Sequence, residues 1–566
     1  MFDKMKTTLF VETPIKKELD KVTPSSFVNA GLMKAAEGRS GNNALKYTTT
    51  GNDFVDQFSK AGTFRNPRTF DAISKDMNLL WTQSPELAVR FTLYLRIITR
   101  TVQFMDGSKS NNVARGTGLK HESLMRMLWI YSRDPKVFWN NINLFVSIGS
   151  WRDVFELLRY DLQYHGWDGR FLNWDKMLDV ISLGIENEVA MNLIKKYLPQ
   201  IKSRSKCTTI ETQSNTIIGK WLSSKWNLTY KQYRLLKTSG TAHEWQKVIS
   251  NKDWSKLNFG SIHGRALALL ISGKFLDNQN LNDKYIEWLM KQPTVKYTGY
   301  PHELMATVTN KMKLAQRITV DKQFLGLVAT GKKDALDASS FIVVRDTSGS
   351  MGSTANGTNM ASGDIAKAIA LYFSYFLTGK FANSYIEFNS QSRMINWKGN
   401  NPTDKWLNDK GSYNGSTNFQ DVIDLFVRIK AEGVTESEFP TGIICISDGN
   451  FDPAMLGKTN LKVLRYKLLY AGFSEDYVSK FKIVLWDIPN GFYSRRGTPA
   501  VQFETFGETE NVFYLSGYDA SILAFLTGIK VVDKETGKVV ISDAPKTDVE
   551  LFESAMNQEI LDYVVI

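Results

Sequence analysis

Ten residues, Phe341-Ile-Val-Val-Arg-Asp-Thr-Ser-Gly-Ser350, decide the fold of the C-terminal part of this chain. Four apolar residues come first, and an apolar run of this length before a glycine-containing loop is typical of a buried strand. Asp346, Ser348 and Ser350 then follow at alternate positions. Such carboxylate and hydroxyl ligands suit Mg²⁺ or Mn²⁺, so the stretch predicts a strand that ends in part of a metal site.

Two later segments supply the remaining oxygen ligands of this predicted site. The turn Gly415-Ser-Thr-Asn-Phe419 offers a third hydroxyl ahead of a helical pattern, and the apolar strand Gly442–Ile446 runs into Asp448. The carboxyl ends of parallel strands meet at one edge of an open sheet, where such sheets place ligand sites. We therefore expect five side chains to converge on one cation: Asp346, Ser348, Ser350, Thr417 and Asp448.

With these five residues the C-terminal part resembles a von Willebrand factor A domain with its metal-ion-dependent adhesion site (MIDAS). The resemblance implies a doubly wound, Rossmann-like α/β fold in which these side chains surround Mg²⁺ or Mn²⁺. It also implies that a protein partner's carboxylate, or another anionic oxygen, binds the open coordination position. Asn418 stands where many relatives carry aspartate. Two other interpretations stay open, a solvated loop and an A domain that has lost its metal.

Composition limits the class of protein. The 566 residues are too many for one ordinary core, and two or three domains are expected. Hydrophobic residues make up 43% and aromatic residues 12%, as in globular proteins. No apolar run reaches about 18 residues and the first residues lack the apolar core of a signal peptide, so neither a membrane span nor secretion is predicted. The cysteines, Cys207 and Cys445, lie far apart. This spacing predicts a reducing, cytoplasmic compartment, with the protein either free or inside a larger particle.

Charge is distributed unevenly along the chain. Residues 335–566 hold 21 Lys/Arg against 28 Asp/Glu, a net charge of −7. The preceding 334 residues hold 49 against 30, a net charge of +19. A concentrated positive charge is the electrostatic signature of a polyanion-binding module. The alternative is that the lysine-rich helical surfaces serve solubility alone.

Hydrophobic periodicity predicts a multidomain protein. Residues 1–60 show weak periodicity and form an N-terminal arm, whereas residues 61–335 show helical spacing and predict stacked, HEAT-like helix pairs. Residues 336–530 alternate strands with amphipathic helices, which favours a parallel sheet, and residues 531–566 form a hairpin and helix tail. The predicted helices of the helical part include residues 85–101, 122–132, 151–164, 174–183, 190–197 and 265–270. The predicted strands of the sheet are Phe341–Val344, Tyr385–Phe388, Ile443–Ile446, Ile483–Trp486 and Val512–Leu515.

Four basic segments of the N-terminal half are candidates for contact with nucleic acid. They span residues 60–68, 109–120, 195–206 and 225–234, and the second is predicted to be a flexible loop. Bases interleaved with aromatic rings suit phosphate pairing combined with base stacking. Each segment alone is better explained as a solvated turn between helices, and only the four together predict a basic surface. The candidate RNA-binding residues are Arg65, Arg68, Arg115, Lys120, Lys202, Arg204, Lys206, Lys225, Lys231 and Arg234.

The layout of a helical-repeat module followed by an A domain is similar to that of the Ro/TROVE proteins. Supporting segments are Gly149–Asp153, Leu119–Ser123 and Lys296–Leu304, and the last two are also similar to an uncharacterised family with the same layout. The resemblance implies a TROVE-like helical domain that binds small noncoding RNA or single-stranded RNA ends. The function expected from it is a noncatalytic RNA-binding scaffold, a ribonucleoprotein component, whose metal site binds a second ligand.

Two other classes of function were weighed against this expectation. A protein–protein adhesion or particle-assembly component would use the metal site without nucleic acid. An enzyme would need a positioned water and a general base beside the metal. The five histidines show no paired ligand spacing, and no Gly-x₄-Gly-Lys-Ser/Thr phosphate loop occurs. The sequence therefore predicts that the protein is not an enzyme.

Overall fold

Two separately packed units make up the chain in the computed structural model. Residues 1–66 and 262–555 form one, which we call the α/β unit, and residues 67–261 and 556–566 form the other, the helical unit. The structure describes residues 37–39, 42, 45–165, 171–239, 244–262, 264–272, 275–297, 299–334, 341–453, 460–490, 509–518, 526, 530–532, 538–541 and 544–566.

The described secondary structure alternates long helical stretches with short strands. The strands are β1 Glu37–Arg39, β2 Leu45–Tyr47, β3 Arg100–Gln103, β4 Lys109–Ala114, β5 Phe341–Asp346, β6 Ser384–Phe388, β7 Ser392–Asn396, β8 Gly442–Ser447, β9 Lys482–Asp487, β10 Val512–Ser516, β11 Lys530–Val532 and β12 Val539–Ile541. The α-helices are α1 Asp53–Ser59, α2 Phe70–Gln83, α3 Pro85–Arg96, α4 Lys120–Arg133, α5 Pro135–Ile148, α6 Arg152–His165, α7 Trp174–Glu186, α8 Glu188–Tyr197, α9 Ile210–Lys225, α10 Tyr230–Ser239, α11 Glu244–Ser250, α12 Gly264–Ser272, α13 Phe275–Asn278, α14 Asn282–Lys291, α15 Pro301–Met305, α16 Leu314–Asp334, α17 Ser362–Ser374, α18 Pro402–Asn408, α19 Phe419–Ala431, α20 Asn460–Tyr470, α21 Glu475–Lys480 and α22 Asp548–Met556. Within the described residues, no helix is long and apolar enough to cross a membrane.

Capping residues arrange the helices of the helical unit in consecutive pairs. Ser84 alone separates α2 from α3, and its hydroxyl accepts a hydrogen bond from Leu87 N (3.3 Å), while Pro85 starts α3. Between α4 and α5, the Asp134 side chain accepts hydrogen bonds from backbone N–H groups in the first turn of α5, and Pro135 starts that helix. Proline fits the first turn of a helix but cannot continue the preceding one. Each of these sequences therefore ends one helix, begins the next and allows the two to pack against each other.

Most of the predicted helices of this unit are confirmed, but one segment differs. Helix α3 ends at Arg96 instead of Thr101, and Arg100–Gln103 pairs antiparallel with Lys109–Ala114, which was predicted to be a flexible loop. The C-terminal residues hold this hairpin, because the Glu559 carboxylate accepts from Asn111 N (3.1 Å) and Asn112 N (2.9 Å). The partner lies more than 400 positions away, so local sequence could not indicate the strand.

A six-stranded sheet in the order β10-β9-β8-β5-β6-β7 is the centre of the α/β unit. All neighbours pair parallel except β7, which runs antiparallel to β6 at the edge. The five predicted strands are confirmed. Strand β7 was missed because its residues, Ser392-Arg-Met-Ile-Asn396, are half polar, as suits an edge strand with one exposed side.

Both faces of the sheet are buried at its centre, which explains why β5 and β8 contain continuous runs of apolar residues. Every residue of β5, β6 and β8 is buried. Alternate residues, such as Ile342 and Val344 of β5, pack in one core cluster with residues of α19 and α20, including Phe426 and Leu464. Helix α17 packs against β5 and β8 as well. Parallel strands covered by helices are typical of doubly wound α/β folds.

The units differ in extent from the predicted domains. Residues 262–334, predicted to belong to the helical domain of 61–335, are part of the α/β unit. The Asp321 carboxylate of α16, for example, accepts from Thr403 N (2.8 Å) and from the Thr403 hydroxyl (3.1 Å). Residues 1–36 of the predicted arm lie outside the described residues, whereas Tyr47 and Phe54 are buried within the α/β unit. The predicted C-terminal hairpin and helix are present as β11, β12 and α22.

Candidate functional site

The sheet order places Asp346 at the point where ligands bind in doubly wound sheets. Strands β6 and β7, which come next in the chain after β5, lie on one side of it in the sheet, whereas β8, β9 and β10 lie on its other side. The direction in which successive strands are added to the sheet therefore reverses between β5 and β8. Asp346 ends β5 and Asp448 follows β8 directly. The crevice at the carboxyl ends of such strands is the usual ligand site. Two of the predicted ligands therefore stand on adjacent strands at this point.

Hydrogen bonds fix the Asp346 carboxylate. Its Oδ1 accepts from Ser348 N (2.8 Å), and its Oδ2 accepts from the hydroxyl of Ser447 (2.5 Å), the last residue of β8. The hydroxyls of Ser348 and Ser350 lie 3.3 Å apart. The loop after β5 thus brings one carboxylate and two hydroxyls together, as the sequence predicted.

Backbone contacts hold the Thr417 loop beside the loop that follows β5. Asn414 N donates to Thr347 O (3.0 Å), and Gly349 N donates to Gly415 O (3.3 Å). Gly415 has a φ of +79°, which favours glycine at this turn. Thr417 is buried, and its backbone N–H donates to Asp452 Oδ2 (3.1 Å).

Two asparagines orient Asp448. Asn450 Nδ2 donates to its Oδ1 (3.3 Å), and Asn490 Nδ2 donates to its Oδ2 (3.2 Å). Asn490 Nδ2 also donates to Ser350 O (3.3 Å). One amide in the segment after β9 therefore contacts both the loop after β5 and the residue that follows β8. Sequence analysis missed Asn490 and Ser447. Searching the end of every parallel strand for polar residues would have found both.

The electrostatics of this site fit a divalent cation. Burial, together with the neighbouring charge of Asp448, raises the pKa of the Asp346 carboxyl to about 7. In the described part of the chain, neither carboxylate forms an ion pair with a lysine or arginine. Nor does this part place three or more His, Cys, Asp or Glu side chains around one metal position. A metal here would therefore rely on both carboxylates together with the hydroxyls, a donor set that suits Mg²⁺.

Four of the predicted RNA-binding residues are engaged in contacts within their own unit. Arg65 donates to the Tyr300 hydroxyl (3.0 Å), and Arg68 pairs with Glu122 (2.5 Å) and Asp76 (2.6 Å). Arg115 is only 5% exposed. The Lys120 ammonium donates to Glu156 Oε1 (2.6 Å). These side chains stabilise the fold, a role that local charge patterns cannot distinguish from binding.

The remaining basic candidates lie together on the helical unit. The hydroxyl of Tyr230, at the start of α10, donates to Ile201 O (2.7 Å), and that of Tyr233 donates to Pro199 O (3.0 Å). These bonds place α10 beside the segment that leads into residues 202–206. Lys225 pairs with Asp175 (2.6 Å) and remains partly exposed. We call the other five residues the basic surface: Lys202, Arg204, Lys206, Lys231 and Arg234.

The helical unit as a whole carries a net positive charge, as expected for a unit with a basic surface. Its residues include 28 Lys/Arg against 19 Asp/Glu, a net charge of +9. Arg204, Lys206, Lys231 and Arg234 are exposed, and Lys202 is half-buried. Within the described residues, no carboxylate pairs with any of the five. Unpaired, exposed cations are the groups that bind phosphates.

Comparison with known proteins gives few matches. Residues 340–561 match the sequence model of a domain of unknown function, DUF7788. This match supports the predicted relationship to an uncharacterised family for the C-terminal part of the chain. No curated protein matches. Among solved structures, the crystal structure of the Deinococcus radiodurans RO (RSR) protein matches at 11% identity, covering 72% of this chain and 86% of that one. The TM-score of 0.32 is too low for the match to indicate a common fold.

Proposed function

We propose that this protein is a noncatalytic RNA-binding scaffold, in which the helical unit binds RNA and the α/β unit binds a second ligand through a divalent cation. The basic surface is the observation that carries the RNA part of the proposal. Five cations from two separate segments lie together there, and none is paired with a carboxylate in the described part of the chain. The half-exposed ring of Tyr230 lies beside them and offers a stacking surface for a base.

The RNA class that suits this surface is single-stranded RNA or a small noncoding RNA with unpaired regions. Unpaired bases can stack on aromatic rings while lysine and arginine bind the phosphates. Paired helices that stack on one another, as in HEAT-like repeats, would present such a surface along the helical unit. A cytoplasmic location follows from this function as part of the same proposal.

Removal of three exposed cations is expected to weaken RNA binding. In the variant Arg204→Ala/Lys231→Ala/Arg234→Ala, loss of three phosphate contacts should lower the slope of log affinity against log salt by about 2. The measurement is fluorescence anisotropy of a labelled single-stranded RNA over a range of salt concentrations. The matched control is Lys291→Ala/Lys313→Ala, which removes two exposed lysines from the α/β unit. Equal salt slopes for the wild type and the triple variant would refute the assignment of the basic surface.

For the α/β unit we propose a von Willebrand factor A fold with a metal-ion-dependent adhesion site. The strand order and the convergence of the Asp346 and Asp448 strands support this proposal. The five proposed ligands are Asp346, Ser348, Ser350, Thr417 and Asp448, with Mg²⁺ or Mn²⁺ as the ion. When bound, such an ion supplies an open coordination position for an anionic oxygen of a partner. Ser447, Asn450 and Asn490 would then orient the two carboxylates.

Magnesium is expected to stabilise the α/β unit only when both carboxylates are present. At 100 times its dissociation constant, a ligand that binds the native state alone adds about 2.7 kcal/mol to the free energy of unfolding. We expect Mg²⁺ to raise the midpoint of thermal unfolding of the wild type, and EDTA to reverse the effect. In Asp448→Ala this shift should vanish, whereas the control Asp424→Ala, whose carboxylate pairs with Lys467, should keep it. An undiminished shift in Asp448→Ala would exclude Asp448 as a ligand.

A second candidate function is metal-dependent protein adhesion or particle assembly without RNA. The observation in its favour is that all five proposed metal ligands belong to the α/β unit, and none of them belongs to the basic surface. A protein partner would then supply a carboxylate to the metal. This function predicts a chain that purifies without RNA and partner binding that is lost in EDTA or in Asp346→Ala. Co-purification of nuclease-sensitive RNA that high salt releases would favour the scaffold.

A further inference from the structure

The helical unit contains a cation-lined cavity, and none of its lining residues belongs to the candidate metal centre. Its volume is about 230 Å³, and it is lined by residues of α6, α8, α9 and α10 and of the segment that follows α8. Its charged lining residues are Arg152, Glu156, Arg159, Lys196, Glu211 and Lys237.

Positive charge exceeds negative charge around this cavity. The buried Glu156 carboxylate accepts from Lys120 Nζ (2.6 Å) and Arg152 Nε (3.0 Å), and it also pairs with Arg159. Arg159 also pairs with Glu211, the second carboxylate at this cavity (2.9 Å). With Lys196 and Lys237, five cations therefore face two carboxylates. Lys237 donates to the backbone oxygens of residues 196 (3.0 Å) and 198 (2.5 Å), which carry no net charge.

Two features of these cations favour the binding of an anion. Burial, together with the charges of Arg152 and Arg159, lowers the pKa of the Lys120 ammonium to about 8, and burial also lowers the pKa of Lys237. In the described residues, the buried Nε of Arg159 has no hydrogen-bond partner. A bound anion would relieve the repulsion and accept hydrogen bonds from these donors.

A second cavity, of about 310 Å³, has aromatic walls. Phe104, Trp151 and Tyr197 line it, together with Arg100, whose guanidinium is held by the backbone oxygens of residues 147 (3.1 Å) and 149 (2.8 Å). The Trp151 ring packs directly on Gly184, where a Cβ atom would overlap it. Aromatic walls of this kind suit a planar, unstacked base.

The two cavities adjoin at Tyr197, which lines both of them. The chain also passes from one cavity to the other between consecutive residues, from Trp151 to Arg152 and from Tyr197 to Lys196. An aromatic compartment next to a cationic one matches the two halves of a nucleotide, the base and the phosphate. Their volumes fall in the range of small-molecule sites, about 300–1,000 Å³, when taken together.

We propose that these cavities form one binding site for a single nucleotide of RNA, with its phosphate in the cation-lined cavity and its base in the aromatic cavity. This inference rests on the proposed function, since it assumes that the helical unit binds RNA. The basic surface would then bind the flanking phosphates of the RNA. The paired cavities would bind one nucleotide whose base is no longer stacked on its neighbours in the RNA.

The test compares two RNA-like ligands on the full-length chain by fluorescence anisotropy. One is fluorescein-labelled penta-adenylate, and the other is the same ribose-phosphate chain without bases. Tyr197→Leu should weaken binding of penta-adenylate by about 5- to 150-fold and leave the abasic chain unaffected, as expected for the loss of one stacked base. Lys237→Met, which keeps the apolar stem, should weaken both ligands equally. The control Tyr164→Leu removes an exposed ring of the helical unit that lines neither cavity, and it should leave the binding of both ligands unchanged.

Other outcomes separate this inference from the proposed function. If the basic-surface variant weakens binding but Tyr197→Leu and Lys237→Met do not, the cavity site is wrong and RNA binding stands. If the wild type binds neither ligand, both proposals fall. Hydrogen exchange of the wild-type chain gives a test without variants, because penta-adenylate should protect residues 152–159 and 196–200. Protection confined to residues 202–206 and 230–234 would overturn the inference.

Competition by AMP would show that a free nucleotide suffices, and competition by penta-adenylate alone would show that the site takes a nucleotide within RNA.

Discussion

Replacing Glu122 with alanine is expected to destabilise the helical unit by about 3 to 5 kcal/mol, the cost of removing one partner from a buried ion pair. Glu122 and Arg126 lie one turn apart on α4, both fully buried, with Glu122 Oε1 2.8 Å from Arg126 Nε. Arg68 adds a second contact to the same carboxylate at 2.5 Å. Burial raises the pKa of Glu122, but the charges and hydrogen bonds of Arg126 and Arg68 outweigh it and hold this pKa below its usual range.

The large effect comes from the arginine that remains. Without Glu122, the buried guanidinium of Arg126 loses the carboxylate that pairs with it, and removal of one partner from a buried ion pair is strongly unfavourable. The measurement is denaturant-dependent hydrogen exchange of the peptides from α4, which reports the helical unit separately. The matched control is Glu86→Ala on α3, an exposed i,i+4 partner of Arg90, for which a loss of at most about 1 kcal/mol is expected. A similar loss in both variants would show that the buried network is unimportant for stability.

The second large effect is a loss of stability of the α/β unit in acid, caused by His302. This residue is 3% exposed, its ring stacks on Tyr300 with centroids 5.6 Å apart, and the edge of Tyr518 lies 5.2 Å away. Burial, with a contribution from the charge of Arg65, lowers the pKa of His302 to about 3. The unfolded chain protonates this histidine below a pH of about 6.5.

The sign of the effect follows from the proton balance. Between pH 6.5 and pH 3 the unfolded state binds a proton that the folded state excludes, so stability falls as the pH falls. The loss is about 1.4 kcal/mol per pH unit, or about 2.7 kcal/mol at pH 4.5. Unfolding free energies from hydrogen exchange of the sheet peptides at pH 7 and pH 4.5 measure it. His302→Phe, which keeps an aromatic ring and removes the titrating group, should flatten the pH dependence. An equally steep dependence in that variant would assign the acid sensitivity to other groups.

Both effects arise from charged or polar groups whose environment the sequence does not reveal. Arg68 illustrates the difficulty, since its neighbours Lys60, Gly62 and Arg65 make the segment look like a basic turn. In the folded chain Arg68 pairs with Asp76, eight residues on, and with Glu122, 54 residues on. Such distant pairing removes it from the set of free cations. Only the tertiary structure distinguishes it from Arg204 or Arg234, which remain exposed.

The sequence by itself determined the α/β sheet and the composition of its candidate metal centre. Strands β5 and β8 each contain a continuous apolar run because helices cover both faces of the sheet, and a candidate carboxylate stands at the end of each strand. These patterns are local and do not depend on the order of the strands in the sheet, so Asp346 and Asp448 could be predicted as strand-end carboxylates from the sequence alone.

The tertiary structure decided which distant segments meet. It assigned residues 262–334 to the α/β unit, formed the hairpin of β3 and β4 against the C-terminal residues, and placed Asn490 between Asp448 and Ser350. It also gathered the basic surface from two segments and joined two cavities at Tyr197. These features depend on contacts between residues far apart in the chain. Such contacts produce no periodic or local pattern in the sequence, so the sequence alone does not predict them.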